Sequence, residues 1–342
     1  MKKLFFSLVA TMLATVGFAQ SMIVATLSHE NNITTFFGPD ALKSAHSAAT
    51  DGDCITLSSG QFNAVDITKA VTIRGAGMEE DSILGIKPTI IYGTPHISIT
   101  DNGTDRLRME GFYLNGNLYY EGTLESPTFV KCRFGEFIYT SQNSAYLKNA
   151  SFIHCKIATR LLLSAISSAF CTSCIISNPY LTGSSTSNIE IYNSVVLLTG
   201  DGSSSLASVP VGIHDSSLNN CIIYVTSTSS SNYSFPSSTT LYNNVSNQSN
   251  AFNNCLNTTN QVAEMDSLFL HFTTEVDNSD YTLTDEAKST YLGTDGTEVG
   301  IYGGIYPYNP VPTNLRVTRC SVATQSSSDG TLSVDIEVNG GQ

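Results

Sequence analysis

One short phrase recurs along this chain: Asn or another polar residue, then Cys or Ser, then apolar residues. The copies are Val130-Lys131-Cys132-Arg133-Phe134, Ile153-His154-Cys155-Lys156-Ile157, Thr172-Ser173-Cys174-Ile175-Ile176, Tyr192-Asn193-Ser194-Val195-Val196, Asn219-Asn220-Cys221-Ile222-Ile223 and Asn253-Asn254-Cys255-Leu256. They lie about 20 to 35 residues apart, and repeats of that period indicate a solenoid whose units bury their apolar faces against one another. The longest interval contains a further variant, Tyr242-Asn243-Asn244-Val245. Each unit reads as short strands, so the expected fold is all-β, a parallel β-helix.

Stacking assigns roles to the repeated residues. Cys132, Cys155, Cys174, Ser194, Cys221 and Cys255 share one repeat position and are expected as an interior ladder, one rung every ~4.8 Å. Side chains stacked in parallel lack the crossed geometry of a disulfide, and a buried Cys serves as a small hydrophobe. The chain has 8 Cys. Disulfides are the usual inference for an exported chain, so they stay open beside the ladder, as does metal at Cys171-Thr172-Ser173-Cys174. Asn193, Asn220, Asn243 and Asn254 are expected at one repeated corner, because Asn tolerates left-handed backbone. Stacked Asn side chains can also bond one another.

The ends differ from the middle. Gly38-Pro39-Asp40 opens a short amphipathic helix with Leu42, Ala45 and Ala49 at helical spacing, and Asp51-Gly52-Asp53 ends it. Such a helix would cap the open end of a solenoid. Cys54-Ile55-Thr56-Leu57, Val65-Asp66-Ile67 and Ala70-Val71-Thr72-Ile73-Arg74-Gly75 follow as strands. The stretch from Ala41 to Gly77 resembles the opening coil of pectin-lyase-like right-handed parallel β-helix proteins. Leu107-Arg108-Met109-Glu110-Gly111-Phe112-Tyr113-Leu114-Asn115-Gly116 resembles a later rung, and the likeness runs on to about Leu256. The resemblance implies a right-handed parallel β-helix with an N-terminal capping helix. After Leu256 the pattern gives way to a Gly- and Pro-rich stretch, similar to the closing segment of secreted β-helix proteins from Bacteroides-like organisms. Leu315–Ala323 and Thr331–Val338, split by Ser326-Ser327-Ser328-Asp329-Gly330, read as a C-terminal β-hairpin. The expected layout is a signal peptide over 1–19, a β-helix with its cap over 20–310, and a hairpin segment over 311–342.

Charge and leader exclude whole classes of partner. Met1-Lys2-Lys3, an apolar run to Phe18 and the Ala19-Gln20 junction form an export signal, similar to those of Bacteroides-type bacteria. The expected location is periplasm, cell surface or extracellular space. No later stretch reads as a membrane span. Net charge is −13, and loss of Lys2 and Lys3 makes it more negative. Nucleic acid, which binds through Lys and Arg, is not an expected partner. Charged residues are only 13% of the chain, and Ser, Thr and Asn supply the polar surface. Ser-rich runs at 183–187, 201–208 and 227–238 read as loops leaving the solenoid, either solvated filler or functional.

Many relatives of the resembled family cleave acidic polysaccharides, lyases with Asp-bound calcium and a basic residue, hydrolases with grouped Asp. Between Arg160 and Lys288 this chain has no Lys or Arg, so the groups needed to neutralise a polyuronate are missing from mid-solenoid. No paired carboxylates recur for glycoside hydrolysis. Gly212-Ile213-His214-Asp215 reads as a turn, as do Asp51-Gly52-Asp53 and Asp101-Asn102-Gly103-Thr104-Asp105, whose other reading is calcium. No catalytic residue, metal ligand or cofactor is assigned. Tyr113, Asn115, Asn117, Tyr119 and Tyr120 lie close in one turn region and are the candidate ligand surface; ordinary loop packing is the other reading. Ser82 and Ser267 follow Asp in Asp-Ser-apolar triplets that resemble Bacteroides-type O-glycosylation sites. The reading is an exported, non-catalytic β-helix presenting a surface to a glycan or a surface protein. The alternatives are a polysaccharide lyase or hydrolase of the pectin-lyase-like fold, and an assembly element whose hairpin adds a strand to a neighbour. Oligomeric state stays open, and fold alone does not decide function.

Overall fold

The structure, a computed structural model, describes residues 23–100, 103–104, 106–139, 146–164, 168–182, 188–198, 216–225, 235, 237–255, 259–273, 279–312, 315–322, 325, 329–331 and 333–340. The expected signal peptide, the core of each Ser-rich run, Gly212-Ile213-His214-Asp215 and most of Asp101–Asp105 lie outside the described residues.

The chain is a parallel β-solenoid built on two long sheets. The first opens with a hairpin, β1 (Val24–His29) and β2 (Asn32–Phe37), and β1 pairs antiparallel with β3 (Cys54–Leu57). Parallel strands follow, each from a later stretch of chain, from Thr72–Arg74 to Thr240–Tyr242. The second sheet starts at Gly60–Asn63 and Thr89–Tyr92 and continues through β4 (Tyr113–Tyr120), β5 (Arg133–Tyr139) and β6 (Lys156–Ser164) to Gln261–Val262. Helix α1 (Ala41–Ala48) buries Ala41, Leu42 and Ala45 over the N-terminal end.

The repeated phrase is the corner that joins the sheets. In each rung a first-sheet strand ends, a corner such as Lys131-Cys132 follows, and a second-sheet strand begins. Turning this sharply needs a left-handed residue. Gly111, Lys131, His154, Ser173, Asn193, Asn220 and Asn243 all have φ between 44° and 70°. The next residue points inward. Strand register aligns Phe112, Cys132, Cys155, Cys174, Ser194, Cys221, Asn244 and Asn260 in one column.

Hydrogen bonding explains why this column is small and polar from Cys132 onward. The Cys174 N–H donates to Ser194 Oγ at 3.0 Å, the Cys221 N–H to Asn244 Oδ1 at 2.8 Å, and the Asn244 N–H to Asn260 Oδ1 at 3.0 Å. Each interior amide is thus satisfied by the side chain one rung on. Those side chains donate back to carbonyls, Cys174 Sγ to Phe152 O at 3.3 Å and Cys221 Sγ to Ile191 O at 3.4 Å. Cys54, Cys132, Cys155, Cys171, Cys174, Cys221 and Cys255 are free thiols. Burial drives the Cys132, Cys171 and Cys174 thiols upward and pushes Cys221 to about 12; such protonated thiols are poor nucleophiles.

Two ladder expectations need correction. Cys255 is half-buried outside the column, and Asn244 holds the place expected for it. Asn254 lies in an exposed turn, and Asn243 holds the corner position. The phrase at Asn253-Asn254-Cys255 follows a one-turn 3₁₀ helix, Ser249–Phe252, which belongs to no rung.

Nor do the corner Asn residues bond one another. Residues 291–312 run back along this flank, against the direction in which the rungs were laid down, and the corners bind them in order. Asn243 Nδ2 donates to Leu292 O at 3.1 Å, and Asn220 Oδ1 accepts from the Thr294 N–H at 2.9 Å. Ser173 Oγ donates to Tyr306 O at 2.7 Å, and Lys131 Nζ to Val311 O at 2.5 Å. Beneath this strap, Val195, Leu197, Ile222 and Val245 join Leu268, Phe269, Tyr281, Val299 and Ile301 in a second core outside the solenoid. Gly300 is required there: it has φ +85°, and an added Cβ would stand 2.7 Å from Ile222 Cδ1. Past the strap, β7 (Leu315–Val322) and β8 (Val334–Gly340) form an antiparallel pair.

Candidate functional site

The candidate ligand residues lie on β4, a second-sheet strand rather than a turn. Alternation sends Leu114, Leu118 and Tyr120 into the core and Tyr113, Asn115, Asn117 and Tyr119 outward. Tyr120 is 0% exposed; it packs the interior and leaves the surface set. Gly116 divides the others. Its φ is +154°, and a Cβ there would meet Gly93 O at 2.1 Å. The register slips at the facing stretch of β5, between Phe134 and Glu136. This bulge creases the face, with Tyr113 and Asn115 on one side and Asn117 and Tyr119 on the other.

Neighbouring rungs complete the face. Tyr92 is the register partner of Asn115, and Glu136 of Asn117. Arg133 sits over the Tyr113 ring, 4.1 Å from its centroid, a cation–π contact. His96 stacks on Tyr119 with centroids 5.1 Å apart. Its Nδ1 bonds Glu121 Oε1 at 2.8 Å. Tyr113 Oη donates to Asn115 Oδ1 at 3.3 Å. Arg160 Nε lies 3.8 Å from Glu136 Oε1. Tyr113 and Tyr119 thus each have a neighbour packed on the ring, and what the face offers is a creased row of hydroxyl, amide, imidazole and guanidinium groups.

Sequence reasoning missed Tyr92 and His96, which reach the face from other stretches of the chain. One signal was available: a glycine follows both Tyr92 and Asn115, and aligning Gly93 with Gly116 brings Tyr92 beside Asn115.

The remaining candidates serve the backbone. Asp51 Oδ1 accepts from the Ala70 N–H at 2.8 Å, and Asp53 accepts from the Thr50 N–H and bonds His29 Nδ1 at 2.8 Å. Ser82 is exposed beside Asp81, whose Oδ1 accepts from the Ile83 and Leu84 amides. Ser267 Oγ donates to Glu264 O at 2.7 Å within a short helix, Met265–Leu268. Among the described residues no group of three or more His, Cys, Asp or Glu is placed to hold a metal ion. No helix among them is long and apolar enough to cross a membrane. Comparisons with protein-family models, curated proteins and solved structures gave no match to this chain.

Proposed function

We propose that this chain is an exported, non-catalytic solenoid of the pectin-lyase-like type, and that the creased face of β4 binds a glycan at the cell envelope. One observation carries the reading. The outward column that begins each second-sheet strand is aromatic and cationic at Tyr113 and Arg133, passes through Lys156, which is buried against Glu79 and Tyr308, and is then apolar and strap-covered at Ile175, Val195, Ile222 and Val245. The stretch left uncovered is the one whose side chains make directional hydrogen bonds, the chemistry a hydroxyl-rich ligand requires. The carboxylates bordering it are engaged by bases, Glu121 by His96 and Glu136 by Arg160, an arrangement suited to positioning. The leader and the resemblance of the first coil support export and the family.

A glycan array with the full chain tests this. We expect retention of one glycan class and about tenfold weaker binding after Tyr113→Ala or Asn117→Ala. An empty array, or variants that bind like the parent, overturns the assignment. Release of reducing sugar or unsaturated product from any polymer replaces it with an enzyme.

A further inference from the structure

Among the described residues, the N-terminal end of the first sheet has an unprotected edge. β2 pairs there only with β1, and Asn32, Ile33, Thr34, Thr35 and Phe37 are all exposed, Ile33 by 73% and Phe37 by 63%. Natural edge strands are usually short, charged, bulged, covered or broken by Pro. The six residues of β2 include no charge and no Pro, and the pairing with β1 shows no bulge. The sheet's other outermost strand, Thr240–Tyr242, is shorter, and Thr259 accepts from the Asn243 amide beside it.

Register shows which groups point outward. The Gly38 N–H donates to Ile23 O, and the Ser58 N–H donates to Val24 O. In an antiparallel ladder bonded and non-bonded pairs alternate, so Asn32, Thr34 and Phe36 bond β1, while the amides and carbonyls of Ile33, Thr35 and Phe37 face away from it. Their side chains share the outer face. Among the described residues nothing pairs with this edge.

We propose that β2 pairs antiparallel with β2 of a second copy about a twofold axis at Thr35. Ile33 and Phe37 stand equally far on either side of Thr35, so this axis sets Ile33 of each copy opposite Phe37 of the other and Thr35 opposite itself. All outward amides and carbonyls of the three residues then find partners, and the two large exposed apolar side chains cover each other across the junction. An uncharged strand at the edge of the first sheet, in a chain of net charge −13, gives two anionic copies a contact without like charges directly opposed. The first sheet would run unbroken through both molecules, and the rod would carry two copies of the β4 face.

Sedimentation velocity on the full chain from about 1 to 100 μM is the test. The expected species is a dimer whose dissociation constant rises about a hundredfold in Thr35→Pro, which removes one outward N–H per copy and none of the bonds to β1. Should that variant fail to fold, Thr35→Lys sets two ammonium groups face to face and should dissociate the dimer equally well. Ile305→Lys, on the strap, should leave the mass unchanged. A monomer at every concentration overturns the proposal. So does a dimer that survives both Thr35 variants, or one that Ile336→Lys on β8 dissolves instead. Ligand binding enters none of these readouts, so the dimer and the glycan face stand or fall separately.

Discussion

The outward column that starts each second-sheet strand has two parts with opposite fates. At Tyr113 and Arg133 it is partly exposed and makes a cation–π contact. From Ile175 to Val245 it is at most 1% exposed, under Phe269, Val299 and Ile301. Backbone geometry is the same in both, since one register runs through the column. The side chains differ, and so does their cover: Ile175, Val195, Ile222 and Val245 pack beneath the strap, Lys156 between the two parts is buried against Glu79 and the strap's Tyr308, and Tyr113 and Arg133 stay partly exposed. Position in the repeat therefore sets direction, and the course of the strap, together with residue chemistry, sets whether that direction ends in a second core or in water.

Substitution can break this comparison. Ile222→Asp places an unpaired charge beneath the strap and should cost about 4 kcal/mol, read from the urea midpoint; a change below about 1 kcal/mol would mean the second core is not formed. Val195→Ala removes less and should cost about 2 kcal/mol, with the strap's amide exchange rising more than that of the first sheet. Ser173→Ala deletes one strap bond and should cost about 1 kcal/mol. On the bare part, Tyr113→Ala should move stability by less than about 0.5 kcal/mol while weakening glycan binding about tenfold. The smallest signal is the pH dependence. Burial holds the His46 and His154 imidazoles below their ordinary value, so the unfolded chain binds protons more readily, and stability should fall as pH drops below about 6.5. His29 opposes this. Asp53 raises its pKa, so its contribution is present below about 6.5 and fades as pH climbs through the raised value. His154→Gln should flatten the acid limb of a melting-temperature profile.

Much of this architecture was legible because a solenoid repeats its backbone constraints. The Cys/Ser column could be read because the interior amide of every rung needs a small polar partner, which leaves few residue choices. The same logic misplaced Cys255, because Asn244 meets that need as well as Cys does and the sequence showed two phrases where one rung existed. The corner was harder. Lys131, His154, Ser173 and Asn193 share a positive φ but little chemistry, so only the Asn members announced themselves. The strap left no periodic trace, since its partners are backbone atoms of one segment meeting side chains from many rungs. Tyr120 was misread because a turn was assumed where β4 continues past Gly116; once the strand is extended, alternation turns Tyr120 inward.

The stacking itself can be observed through its sulfur atoms. A long-wavelength anomalous difference map from a crystal of this chain should place the sulfurs of Cys132, Cys155, Cys174 and Cys221 on one line, stepping about 4.8 Å per rung with a single empty step at Ser194. Sulfurs scattered through the molecule, or joined in pairs about 2 Å apart, would contradict the register on which the face, the strap and the edge all rest.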